Sequence, residues 1–212
     1  MAWNGGLLPG MRLAACLLGS CVAVSLFACG VQAADLTYPA SFGPPAAPAP
    51  PASQSASFLS EVRLGTFVHD AMSPESGSVD LNGEILFAKP FGDGTGTWDF
   101  LIPRPSIGGT VNFVGKTSQG YAGLTWTYDI TKSLFVEGSF GGSVNNGKTG
   151  IIVPPGHNAM GCNVSFRESA SFGYRFNDNW SLMATIEHMS NAGFCNQNRG
   201  LTNYGARIGY TF

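Results

Sequence analysis

The stretch Val164-Ser165-Phe166-Arg167-Glu168-Ser169-Ala170-Ser171-Phe172-Gly173-Tyr174-Arg175-Phe176 decides the fold of this chain. Val164, Phe166, Ala170, Phe172, Tyr174 and Phe176 are apolar, while the intervening odd positions hold Ser165, Arg167, Ser169, Ser171 and Arg175. Period two is the period of a β-strand, whose successive side chains point to opposite faces. A β-sandwich or a lipocalin-like barrel has the same period with its apolar side turned inward. Here the polar side carries small residues and arginines, which suit a narrow polar lumen, so the aromatic side is expected to face outward. Ala122, Leu124, Trp126 and Tyr128 alternate with Tyr121, Gly123, Thr125 and Thr127 in the same phase, as do Tyr204, Ala206, Ile208, Tyr210 and Phe212 with Asn203, Gly205, Arg207, Gly209 and Thr211.

From this segment outward, the chain beyond Phe58 divides into runs of about ten residues, each closed by Gly, Asn, Asp or Pro. The expected strands are 58–70, 78–89, 98–113, 119–129, 132–144, 162–176, 180–190 and 202–212, with Pro103 and Pro105 interrupting the third. An even count lets the first strand pair with the last and leaves no edge in lipid, so the fold expected over residues 58–212 is an all-β, eight-stranded antiparallel transmembrane barrel. Short connections at Ile130-Thr131 and Asn177-Asp178-Asn179 then fall at one end, and the long segments 145–161 and 191–201 fall at the other. The terminal Tyr210-Thr211-Phe212 resembles the ending of proteins inserted by the outer-membrane assembly machinery.

The chain begins as an exported protein would. Arg12 precedes an apolar run from Leu13 to Phe27, and Val31-Gln32-Ala33 offers small residues at a cleavage site, so residues 1–33 are expected to be a signal peptide, with Met11 a possible true start. Phe27 makes Leu26-Phe27-Ala28-Cys29 a poor lipoprotein motif. Residues 34–57 are rich in Pro, Ala and Ser and read as a linker. With a net charge of −2 and 11% charged residues, the chain has neither a basic patch for nucleic acid nor a long acidic tail. Its 29 glycines and the lack of a second long apolar span argue against a helical membrane protein. Cys16, Cys21 and Cys29 lie in the expected signal segment; Cys162 and Cys195 remain, an even pair suggesting one disulfide in an oxidising compartment. No CxxC or histidine cluster suggests a metal, and His69 and His157 are assigned no role.

Near the end stands Ile186-Glu187-His188-Met189-Ser190-Asn191-Ala192-Gly193. His188 and Ser190, two apart on a strand, share a face, which brings an imidazole beside a hydroxyl it can deprotonate, and Asn191 adds an amide able to donate to an oxyanion. By the phase above, both are on the lipid side at the end with the long loops, while Glu187 points into the lumen. A partner for that imidazole is expected, since an unpaired one beside acyl chains is costly.

This His-x-Ser-Asn-Ala motif, followed by about twenty residues to a terminal aromatic, resembles the PagL-type lipid A 3-O-deacylases, outer-membrane barrels that remove an acyl chain from lipopolysaccharide. The resemblance is sharpest over residues 186–212. It implies Ser190 as nucleophile, His188 as general base, Asn191 as oxyanion donor, no cofactor, and lipid A as the substrate in the outer membrane. It also implies a carboxylate twelve residues after the serine, where this chain has Thr202. Three outcomes stay open: the hydroxyl is a weaker partner, the enzyme is inactive, or another residue supplies the carboxylate. Glu168 is the candidate for the last, because a three-residue loop at 177–179 sets it directly across from His188 on the lipid face, with Thr202 a secondary contact. The alternative of a different kind is a non-catalytic surface or adhesion barrel whose business lies in the loop from Gly141 to Gly161.

Overall fold

The computed structural model describes residues 57–92 and 96–212. The expectations of a signal peptide at 1–33 and a linker at 34–57 fall, except for residue 57, outside the described residues. Eight antiparallel strands close into a barrel: β1 (Leu59–Val68), β2 (Val79–Phe87), β3 (Arg104–Asn112), β4 (Gln119–Asp129), β5 (Leu134–Asn145), β6 (Val164–Arg175), β7 (Trp180–Ser190) and β8 (Leu201–Thr211). Each strand pairs with its neighbours in sequence, and β1 pairs with β8 from Glu61 opposite Thr211 to Val68 opposite Tyr204. Two short turns and the β2–β3 connection define one end, the turn end; the segments 69–78, 113–118, 146–163 and 191–200 define the loop end.

The third strand departs from its expected span. Asp99–Leu101 forms a 3-10 turn, and the strand starts at Arg104. Pro105 has no N–H for a ladder, and it lies where this can be tolerated: opposite Leu124 on β4, one residue before pairing with β2 starts at Ser106.

Alternation has the expected phase. The odd residues of β6 face inward while Val164, Phe166, Phe172 and Tyr174 are exposed on the outer wall, joined there by Leu64, Ile85, Ile107, Leu182 and Ile208. Aromatic pairs gather at the turn end: Tyr174 with Phe176, Trp180 with Tyr210, and Tyr210 with Phe212. An apolar outer band bordered by aromatic rings is the surface that a membrane-spanning barrel presents.

The lumen is filled largely by paired charges, with Phe67, Phe135 and Met183 buried among them and a small apolar cluster of Met160, Met189 and Leu201 at the loop end. Arg63 donates to Glu61 at 2.8 Å and meets Glu137 at 2.8 Å and Glu84 at 3.2 Å. Arg104 bridges Glu61 and Glu137 at 2.7 and 2.8 Å. Arg207 lies between Glu84 and Glu187, and Arg167 pairs with Glu187 at 2.8 Å while covering the Tyr121 ring at 3.6 Å. These four arginines and four glutamates neutralise one another, which is the condition for burying charge at tolerable cost.

At the loop end, His69 contradicts its reading as a lone polar position. Fully buried, it reaches Asp80 with Nδ1 at 2.7 Å and Glu75 with Nε2 at 3.0 Å. Glu75 in turn accepts from the backbone N–H groups of Thr117 and Asn158, so one carboxylate ties three loops together. Burial disfavours the charged imidazolium, but the two carboxylates outweigh it and push the His69 pKa up to about 9. Burial likewise disfavours the Glu75 carboxylate, and the hydrogen bonds from His69, Asn158 and Thr117 outweigh it, lowering its pKa to about 2.

Two outcomes follow from these networks. Arg207→Leu leaves Glu84 with Arg63 alone and Glu187 with Arg167 alone, an uncompensated buried negative charge that should cost about 3–5 kcal/mol, whereas Arg175→Ala, which breaks the exposed pair with Asp129, should cost less than about 1 kcal/mol. Urea midpoints of the detergent-solubilised barrel, read by its heat-modifiable migration on gels, check the contrast. The His69–Glu75 clamp is at full strength between the unfolded values of 4.5 and 6.5. His69, raised on folding, loses its contribution as pH rises from 6.5 towards 9, and Glu75, lowered on folding, loses its own as pH falls from 4.5 towards 2. Protease nicking of the loops should therefore be slowest near pH 5–6.5 and faster at pH 9, and His69→Gln should abolish the alkaline change.

Candidate active site

β7 carries His188 and Ser190 to its loop end on the outer wall, both half-buried. Their neighbours are set by register. Ser190 is opposite Phe166 of β6, and His188 lies between Glu168 of β6 and Thr202 of β8. The pairing of Glu168 with His188 is the one that the three-residue loop at 177–179 dictates. Glu187, the intervening residue, points into the lumen and is buried against Arg167.

The imidazole is oriented by the threonine. His188 Nδ1 is 2.8 Å from Thr202 Oγ1, and the Glu168 carboxylate, exposed on the wall, makes no hydrogen bond among the described residues. Orientation of the ring by Glu168 is therefore corrected: the carboxylate stands across from His188, but the ring nitrogen bonds to the hydroxyl on the other side. Gly200 makes room for this arrangement. With φ at +70°, it faces the ring edge so closely that a Cβ there would come within 3.0 Å of Cε1. Any side chain at 200 would push the imidazole away.

Asn191 has a different job from the one expected. Its Nδ2 donates to the carbonyls of Met160 and Gln197, both at 2.7 Å, and its Oδ1 accepts from Gly193 at 2.9 Å. Its backbone N–H donates to Asn198 Oδ1 at 2.9 Å. Both amide protons are thus committed, and the residue is buried as the hub that joins segment 191–200 to segment 146–163, which corrects its reading as an oxyanion donor. The disulfide Cys162–Cys195, with Cα atoms 6.1 Å apart, fastens the same two segments. After Ser190 the strand ends in a turn with Ala192 at φ +53°, and the Ala192 N–H has no partner among the described residues.

Beside Ser190 the wall is grooved. Phe140 and Phe166 stack with centroids 5.9 Å apart, Phe166 meets Phe194 at 6.0 Å, and Gly141, Gly142 and Val164 line a groove of about 550 Å³. A volume of this size holds an alkyl chain. Composition alone does not reveal it, because the depression comes from glycines 141 and 142 aligned with Arg167 and Phe166 of the next strand.

Comparison with known proteins identifies the family of the chain. A model of the family "Lipid A 3-O-deacylase (PagL)" matches residues 76–211. Among solved structures, the crystal structure of the outer-membrane enzyme PagL superposes with a TM-score of 0.54 at 14% identity, over 70% of this chain and 97% of that one. The N-terminal β-barrel domain of Pseudomonas aeruginosa OprF gives 0.49 at 13% identity, over 73% and 98%. No curated protein sequence matches the chain. A closed eight-stranded barrel with an apolar outer wall, matched over most of its length by that family model, belongs to the PagL family of outer-membrane lipid A deacylases.

Proposed function

We propose that the chain removes an ester-linked acyl group, the 3-O-linked one, from lipid A at the outer leaflet, with Ser190 as nucleophile and His188 as general base. The observation that carries this reading is the hydrogen bond between His188 Nδ1 and Thr202 Oγ1, which fixes the ring two residues from a hydroxyl whose cross-strand partner, Phe166, lines an acyl-sized groove. If Nδ1–H donates to Thr202 Oγ1, the lone pair is on Nε2, the nitrogen left to take a proton. Ser190 Oγ then attacks the ester carbonyl as its proton passes to Nε2. Collapse of the tetrahedral intermediate returns that proton to the departing sugar oxygen and leaves an acyl-serine. Water, deprotonated by the same nitrogen, releases the acid. The Ala192 N–H is the donor assigned to the oxyanion. Glu168 acts through space, its charge favouring the imidazolium that forms across the strand pair.

The 3-O position is an inference from family membership. The outer-wall placement supports the substrate class independently, since a hydroxyl and imidazole facing acyl chains meet lipid esters and little else. The rival, a barrel that only displays loops, leaves the Thr202-bound imidazole beside Ser190 without purpose.

Lipid A from cells making the protein should lose the mass of one hydroxyacyl chain, and Ser190→Ala should restore it; intact lipid A from cells with the folded wild-type barrel would favour the display protein. Glu168→Gln should lower turnover roughly 10- to 100-fold with the gel shift of the folded barrel intact, measured on micellar lipid A.

A further inference from the structure

The residue that replaces a carboxylate in this chain is itself held by one. Asp70, two residues past the end of β1, accepts from the backbone N–H of Thr202 at 3.0 Å, and Thr202 Oγ1 meets the imidazole of His188 at 2.8 Å. The alignment is a matter of register. Val68 opposite Tyr204 is the last pair of β1 and β8, and continuing it by two residues sets Asp70 opposite Thr202, which is opposite His188.

Asp70 is built in a way that a loop aspartate needs no reason to be. Its parity puts it on the outer wall, yet it is only 6% exposed. Its φ of +37° is a left-handed value that costs a non-glycine residue, and four hydrogen bonds hold it there. Its N–H donates to Asn203 Oδ1, its carbonyl accepts from Ser73, Oδ1 accepts from Thr202, and Oδ2 accepts from Asn158 Nδ2. A strained, over-determined carboxylate next to a catalytic pair is where positioning groups are found.

We propose that Asp70 is the positioning carboxylate of this site and acts on His188 through Thr202. The proposal rests on the hydrolytic reading of Ser190 and His188. Asp70 fixes the Thr202 backbone and so the hydroxyl that receives Nδ1–H, which holds the tautomer whose Nε2 takes the serine proton. The proton on Nδ1 stays there throughout, and none passes to Asp70. Its negative charge, one residue behind the hydroxyl, favours the imidazolium from one side while Glu168 does so from the other.

A double-mutant cycle on micellar lipid A with the full barrel tests this. Asp70→Asn should lower kcat roughly 10- to 1,000-fold with KM unchanged, because the lost interaction strengthens only as charge develops on the ring. Thr202→Val should cost about as much, and the double variant about the same as the worse single, since the two act in series. Asp70→Asn with Thr202→Glu should regain at least about tenfold over Asp70→Asn, because a carboxylate at 202 reaches the ring directly. Activity of Asp70→Asn within threefold of wild type, additive losses, or no recovery with Glu at 202 would each overturn the proposal. The last would leave Asp70 a fastener of the loop. Wild-type protein that is folded and inactive would instead sink the hydrolase reading itself.

Discussion

Mutual neutralisation of charge inside the barrel is what the rest of the molecule depends on. Eight strands closed around so narrow a lumen bring Arg63, Arg104, Arg167 and Arg207 within reach of Glu61, Glu84, Glu137 and Glu187. Each ion alone would be several kcal/mol too costly to bury, so the strands stay in the one register that pairs them all. A slip by one residue would turn arginines toward lipid and phenylalanines toward the lumen together. The outer wall is thus specified from inside, which frees its own residues for chemistry.

That register writes the site as a single row. Phe140, Glu168, His188 and Thr202 stand side by side on β5 to β8, and Asp70 extends the row beyond the end of β1. Much of this was legible in the chain, because period two and a three-residue turn are enough to pair Glu168 with His188. The outward aromatic face, the strand count and the Cys162–Cys195 bridge follow from equally local facts. The start of β3 was not so legible, since an alternating pattern cannot say where a proline becomes tolerable until the neighbouring strand's pairing is known.

What escaped sequence reasoning lies in the loops. Asn191 follows the serine and so invites a catalytic role, yet its partners, Met160 and Gln197, approach it from elsewhere in the chain and claim its protons. His69 reads as isolated until segment 69–78 folds back to place Glu75 on one ring nitrogen and β2 places Asp80 on the other. Asp70 has the same history. Loop contacts of this kind have no period, and the backbone turns that create them, such as the positive φ at Asp70 and Ala192, leave no mark at residues that are not glycine.

Ser190 and the groove beside it open through the side of the barrel. A substrate already dissolved in the leaflet therefore arrives by sliding along the membrane plane, and the bulk aqueous concentration is irrelevant to its capture. Encounter is a two-dimensional search, governed by the mole fraction of cleavable lipid at the surface and by how fluid that monolayer is. Inert amphiphiles that dilute the surface should slow such an enzyme even when the total amount of substrate is held constant.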